Sequence, residues 1–490
     1  MLKNCIFSFY ISKLETQIQE LPIKHEFGEY IIYIDAITPY KDCTIDNRKC
    51  AIFGYAIDLI DNRFNDLPKY ILENSTDLES VIAIEEKFGG KYLLLYKDDT
   101  GYYMLGDATC SIPIYYSTGV DALIATSNSN LITRKYNLQP DVLLQHIRKC
   151  SEISQAMPFD VTEYAQIKQL IPNHYLFFNN QKAYRFINSK IKQTSISIEE
   201  GVRKTLPLIE RLTKYYMKNF NIYCPITSGR DSRVVLAFLL SVSQKPIDSY
   251  TIKHKEHIGD EQDLLIPQEL AKLCLMEYQQ ITDVEASEEL KCDMDNWLGK
   301  ERYSMRTLNI ANTIKQYFGG AAIINGDIIG QVGKCSLHRD IPNIFATAGY
   351  FRCKLHNYSK ESKKILKDWL KDIKNSGEKV NVFDLFSIEN RMGRWAGQTN
   401  LIYNSLGVYN LNIFNSRSVI YIWTGIKRNE RKKSRLHIQF INEKCGKLLT
   451  IPFEKDTQIA VKISKGNGVF YYLASYIKYC FEKWVFYNKK

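Results

Sequence analysis

Asn221-Ile222-Tyr223-Cys224-Pro225-Ile226 runs directly into Thr227-Ser228-Gly229-Arg230-Asp231-Ser232, and the apolar stretch Val234–Val242 follows. The first six residues read as a strand, and Ser232–Leu240 reads as a helix. A tight turn between the two aims several backbone N–H groups, and the positive end of the helix, at one point. That arrangement suits an anion. Gly229 allows close backbone approach. Thr227, Ser228 and Ser232 carry hydroxyls that can donate to phosphate oxygens. Asp231 can accept loop N–H bonds or orient a metal ion. The same residues also read as a plain helix start, because Ser and Asp are good N-caps. The local pattern leaves both readings open.

Outward from this turn, strands and helices alternate. Ser249–Ile252 reads as a strand, Asp263–Leu273 as a helix, Asn309–Phe318 as a helix and Ala321–Asn325 as a strand. Alternation of this kind predicts a parallel sheet covered on both faces. Upstream, Gly201–Lys218 carries a helical stripe at Val202, Leu206, Leu208, Ile209, Leu212 and Tyr216. Beyond about residue 350 the pattern is mainly helical.

The first part reads differently. Tyr30–Ile37, Ala51–Ile60, Lys91–Tyr96, Tyr102–Leu105, Ile112–Tyr116 and Leu123–Thr126 are strand-length runs of β-branched and aromatic residues. Asp98-Asp99-Thr100-Gly101 between two of them predicts a hairpin turn. Asn173–Phe178 and Ala183–Ile187 predict another hairpin, across Asn179–Lys182. Ser189–Ser197 is polar and without period, which makes it the expected linker. The sequence therefore predicts a strand-rich α+β domain over residues 1–190 and an α/β domain with a helical tail over residues 198–490.

The 490 residues carry a net charge of +11, which admits nucleic acid, nucleotides or simple solubility as explanations. The densest basic run is Lys427, Arg428, Arg431, Lys432, Lys433 and Arg435. It reads as a solvated surface or as a cover for phosphates. None of the 12 cysteines lies in a C-x-x-C pair or in a zinc-spaced cluster. The apolar patch Ile6–Ile11 lacks the flanks of a signal peptide. No run approaches the roughly 20 apolar residues of a membrane span. A cytoplasmic protein is expected.

Thr227–Arg233 resembles the S-G-G-x-D-S pyrophosphate loop of the asparagine synthetase-like ATP pyrophosphatases. Thr227 and Ser228 stand at the motif's Ser and first Gly, Gly229 at its second Gly, and Asp231 and Ser232 match outright. Arg233 is frequent in the branch associated with surface-polysaccharide genes. Asp263-x-x-x-Pro267-x-x-x-Ala271 resembles that family's next helix, and Asn325-Gly326-Asp327 its Gly-Glu loop. Asn390–Asn400, Phe414–Arg417 and Arg435–His437 resemble its helical C-terminal segment. The resemblance implies ATP and Mg2+ as cofactors, held by Thr227, Ser228, Gly229, Arg230, Asp231, Ser232, Ile252 and Gly326, with Asp231 on the metal. It implies catalytic roles for Asp327 and for a cation near Lys433 or Arg435. Ile328-Ile329-Gly330-Gln331 departs from the family's acidic pair. Gly330–Cys335 is no Walker loop, because Ile328 and Cys335 stand where Gly and Ser or Thr are needed.

The first part resembles the Ntn-type glutaminase domain of the same synthetases. The likeness lies in Phe88-Gly89-Gly90-Lys91, Gly106-Asp107, Ile112–Tyr116 and Ile171–Tyr175. That domain's nucleophile is an N-terminal Cys, whose free amine serves as base. Here Leu2 holds the position, and Cys5 would have its nitrogen in a peptide bond. The expected activity is therefore adenylation of a small-molecule carboxylate and transfer to ammonia or an amine, without glutamine hydrolysis. Cell-surface polysaccharide precursors are plausible substrates on this resemblance. A degenerate homologue that only binds a nucleotide or a partner is the competing reading. An RNA-thiolating enzyme would also use such a loop. It would want paired cysteines or an added RNA-binding domain, and neither is seen, so no nucleic acid partner is expected.

Overall fold

A computed structural model describes residues 5–151, 157–186, 195–253, 262–300, 302–335, 341–376, 381–453 and 468–488. Most of the expected linker, Ser189–Ser197, lies outside them.

The first part is a sandwich of two six-stranded antiparallel sheets. One runs Ile167–Leu170, Ile114–Ser117, Ile124–Thr126, Phe9–Ser12, Tyr30–Ile34, Ile23–Phe27. The other runs Lys182–Arg185, His174–Phe177, Gly101–Gly106, Phe88–Asp98, Arg48–Asp58, Tyr40–Ile45. Strand alternation sorts the side chains. Phe9 and Ile11 meet Phe53, Leu93 and Leu95 between the sheets. Tyr92, Leu94 and Tyr96 face outward, under the helices Leu67–Asn74 and Leu78–Glu85. The expected hairpin at Asp98–Gly101 is present, with Asp98 opposite Gly101.

The second part holds a five-stranded, all-parallel sheet. Its order is Glu277–Thr282, Asp248–Lys253, Ile222–Pro225, Ala322–Ile324, Tyr409–Leu411. Both faces are covered, as expected of a parallel sheet. Cys224, Ala322, Ile324 and Leu411 face the helices Ile198–Asn219 and Arg230–Val242. Tyr223, Tyr250, Ile323 and Ile281 face Glu288–Leu298, Met305–Phe318 and Gly397–Ser405. The fold class is thus α+β followed by α/β, with a mainly helical tail.

The two parts share buried surface. Tyr10, Tyr33 and Tyr115, on the outer face of the first sheet, join the same core as Trp297, Leu308 and Leu401. Polar ties cross the seam as well. Arg417 pairs with Glu85 at 2.7 Å, both almost fully buried. Asn415 exchanges hydrogen bonds with the Gly90 backbone. Among the described residues no helix is long and apolar enough to cross a membrane.

Candidate functional site

The sheet changes direction at Ile222–Pro225. The next two strands in sequence stack on one side of it, and the two after those on the other. In open α/β sheets the crevice at such a switch point, beyond the carboxyl ends of the strands, is the usual ligand position. A cavity of about 410 Å³ lies there. Ile226, Thr227, Ile252, Lys253, Asn325, Asp327 and Asn410 bring it the ends of four strands. Leu264 and Tyr403 add apolar wall, and Arg306 a second cation beside Lys253.

The 227–232 turn forms one lip. The helix Arg230–Val242 has Gly229 as its N-cap and no side-chain cap hydrogen bond. The plain helix-cap reading therefore does not describe it. A carboxylate does hold the loop, but it is Asp263 and not Asp231. Asp263 accepts from the Ser228 N–H at 2.9 Å and also from the Ser228 hydroxyl. Ser228 is buried, so its hydroxyl is tied into the protein and does not face an anion. The Ser228 side chain is thus accommodated away from the mouth of the loop. The hydroxyls of Thr227 and Ser232 meet at 3.0 Å, on the exposed side. Behind the loop, buried Arg233 donates to the carbonyls of Leu448, Ile451 and Pro452 and to that of Ser228 at 3.4 Å. Arg230 and Arg233 both lie over the Phe453 ring.

Asp231 points back from the loop. His437 Nε2 meets its Oδ1 at 2.8 Å, and the His437 side chain is fully buried. Burial alone would raise the Asp231 pKa. The His437 bond and charge, with Lys334 and Arg230, outweigh burial and hold the carboxyl below its ordinary value. The neighbouring turn closes on it. A Cβ at Gly330 would lie 2.5 Å from Asp231 Oδ2, and one at Gly326 2.9 Å from the Asp231 carbonyl oxygen. Gly326 is required by this approach to backbone, and a side chain at Gly330 would displace the Asp231 carboxylate.

Asp327 forms the other lip. Asn325 accepts its N–H at 3.0 Å. Asn325 is itself bonded to Asn410 and Asn412 at 2.7 Å each, and Asn410 to Asn400 at 3.0 Å. Burial first, then the charge of Asp231, push the Asp327 carboxyl up to about 6, against the opposing charge of Arg391. Arg391 lies over the Trp395 ring. Two π-helical stretches, Ile329–Gly333 and Ser387–Ala396, bring these groups together. Wide turns of this kind favour functional sites. On the sandwich side, the buried Lys91 amine donates to Asn404 Oδ1 at 2.9 Å and to the Asn410 carbonyl at 3.3 Å. Burial draws its pKa down to about 7, opposed by Asp107.

Of the expected residues, Thr227, Ile252 and Asp327 line the cavity. Ser228 to Ser232 continue the loop from its lip, and Gly326 packs on Asp231. Lys433 and Arg435 are not brought to the cavity: both are exposed, and Arg435 pairs with Glu430. The basic run around them is not one solvated surface either. Arg431 is buried on Asp384 at 2.7 Å, and Arg428 donates to the Ile341 carbonyl. Lys253, Arg306 and His437 were missed. Lys253 ends a strand at the sheet's carboxyl edge, which is a legible signal; the other two are placed by tertiary contacts alone.

Cys5 is buried, with its thiol pushed up to about 12 by burial and then Asp35, so it stays neutral. Among the described residues, no group of three His, Cys, Asp or Glu could hold a metal by itself.

No family model matches the chain, and no curated protein matches it in sequence. Among solved structures it is similar to a glutamine phosphoribosylpyrophosphate amidotransferase from B. subtilis complexed with ADP and GMP, at 10% identity and a TM-score of 0.23, over 59% of this chain and 62% of that one. It is likewise similar to an allosteric regulatory enzyme of purine biosynthesis, at 11% identity and a TM-score of 0.24, over 60% of this chain and 64% of that one. The chain thus spans less than two thirds of the length of either, and likeness this loose says nothing of chemistry.

Proposed function

We propose that this chain is an ATP-dependent, AMP-forming carbon–nitrogen ligase. One observation carries the reading: the loop that leads into an uncapped helix N-terminus and a carboxylate with a raised pKa meet at one cavity at the sheet's switch point. Adenine fits the apolar wall of Ile226, Ile252 and Leu264. The phosphates fit the N–H groups of residues 229–232. Lys253 and Arg306 can hold a substrate carboxylate or the departing pyrophosphate.

The residues also fit Mg2+ brought in by the nucleotide. Such an ion keeps one or two carboxylates, phosphate oxygens and water. Asp231 Oδ2 would supply the carboxylate, and the ion would offset phosphate charge.

In the proposed reaction, a carboxylate oxygen attacks the α-phosphorus and the bond to the β-phosphate breaks. Pyrophosphate leaves, and an acyl-adenylate remains. Preorganised N–H donors at the loop stabilise the departing charge. An amine or ammonia then attacks the acyl carbon, and AMP leaves. The proton shed by nitrogen goes to Asp327, which is ionised at neutral pH and lies near its operating pH.

The test is pyrophosphate and AMP formation from ATP, Mg2+, ammonium and a panel of carboxylates, including sugar acids and amino acids. A crystal grown with ATP and Mg2+ should place phosphate within hydrogen-bond reach of residues 228–232. Nucleotide affinity without turnover on any carboxylate would favour the binding-only reading. No affinity at all would sink both.

A further inference from the structure

A second, smaller pocket lies in the seam between the sandwich and the helices over the parallel sheet. Its volume is about 60 Å³, room for one small ion or group rather than a nucleotide. Tyr115, Arg148, Glu163 and Tyr164 line it from the sandwich side, and Arg302 and Arg394 from the other.

Among the described residues its charges do not balance. Arg148 and Glu163 form an ion pair with each other. Among the described residues, that leaves Arg302 and Arg394 with no carboxylate bonded to either. Arg394 is 3% exposed. One of its terminal nitrogens donates to Gln169 Oε1, while its Nε is buried without a partner. Arg302 donates through Nη2 to the Tyr164 hydroxyl and stacks on that ring, while its Nη1 is buried without a partner. Burial draws both guanidinium pKa values down. A buried guanidinium with open donors is costly unless an anion meets it. A planar fork of N–H groups is also the usual partner of a carboxylate or phosphate group.

We propose that this seam pocket binds one small oxyanion, a carboxylate or phosphate group, between Arg302 and Arg394. It is distinct from the switch-point cavity, which none of its lining residues borders.

The test uses the full chain and its thermal unfolding at constant ionic strength. Chloride is replaced stepwise by inorganic phosphate in one arm and by acetate in the other. Either anion, if it fits, raises Tm with the logarithm of its concentration, by about 2–3 °C at a hundred times Kd for a chain of this length. The response must vanish in Arg302→Met and in Arg394→Met. Without the anion, these variants should melt no lower than the parent, because they remove an unpaired buried charge. Should Arg394→Met fail to fold, Arg302→Met carries the test by itself, with Arg302→Lys expected to restore part of the response. A phosphate response that survives in the arginine variants belongs to the 227–232 loop and overturns the proposal. So does a parent whose Tm answers to neither anion.

Discussion

Two turns end adjacent strands of the parallel sheet, and each presents an aspartate. The turn after Ile222–Pro225 carries Asp231, and the turn after Ala322–Ile324 carries Asp327. They meet through Gly326, which packs on the Asp231 backbone, and Gly330, which packs on its carboxylate. Their chemistry diverges. Asp231 has His437, Lys334 and Arg230 around it, which outweigh its burial and keep it ionised. Asp327 has burial and the Asp231 charge against it and only Arg391 in its favour, so its carboxyl rises to about 6. Two carboxylates set apart by their surroundings are the usual division between a charge-holding group and a proton-transferring one. Proximity to a cavity does not assign that division; the neighbours of each carboxylate do.

The comparison can be broken most directly at Asp327. Asp327→Asn keeps the shape and removes the proton acceptor. Ligation should fall by about 10²- to 10⁴-fold in kcat, the range for loss of a general base, while ATP affinity changes little. In the parent, kcat should rise with pH through about 6 as Asp327 ionises, and that limb should be absent in the residual activity of the variant. Equal losses and equal pH profiles in Asp231→Asn would erase the distinction. His437→Leu acts on the other side. It strips Asp231 of its charged hydrogen bond, worth about 2 kcal/mol or roughly thirtyfold in the folding equilibrium. The urea midpoint should fall, and binding of the nucleotide phosphates should weaken with it. Asp263→Asn is milder, because the amide can still accept one bond from Ser228. About tenfold weaker ATP binding, measured by titration calorimetry, is expected with little loss of stability.

The sequence was readable where the signal is local. Strand, turn and helix around 227–232 follow from periodicity, while Asp263, in the first turn of the next helix, and Asp327, after the Ala322–Ile324 strand, follow from the resemblance. The sandwich strands were readable as strand-length apolar and aromatic runs; that Leu93 and Leu95 point inward while Tyr92, Leu94 and Tyr96 point outward is seen only in the fold. What failed was whatever depends on distant chain. Tyr409–Leu411 joins the sheet as an edge strand only because the chain returns there after the long helical excursion. Its three residues carry no period. Glu277–Thr282 was missed because, at the opposite edge, it is largely exposed and polar. Arg435–His437 resembles the family's C-terminal segment, but nothing in that resemblance gives His437 a role, and only folding brings it to Asp231. The run at 427–435 misled for the same reason: composition cannot say that Arg431 has a buried Asp384 waiting for it. The departures from the family loop also needed the structure. Ser228 looks like a blocked glycine position until Asp263 accounts for its hydroxyl.

The smallest expected effect separates the two aspartates by sign. Asp327 binds its proton more tightly folded than unfolded, rising from an ordinary 3.8 to about 6. Between those values the folded chain carries the extra proton, so this group makes stability fall as pH rises, and the fall is complete above about 6. Asp231 does the opposite. Its folded pKa is depressed, so its contribution is present above the ordinary value and is lost as pH falls. Against the many other groups that titrate in a chain of this length, the Asp327 contribution amounts to a Tm change on the order of 2 °C. It is therefore read as a difference between parent and variant. Melting curves from pH 4 to 7 should show Asp327→Asn gaining on the parent as pH rises, and Asp231→Asn losing ground over the lowest part of the range. Parallel curves for the two variants would mean that the aspartates share one environment, and the assignment of Asp327 as the proton acceptor would lose its physical basis.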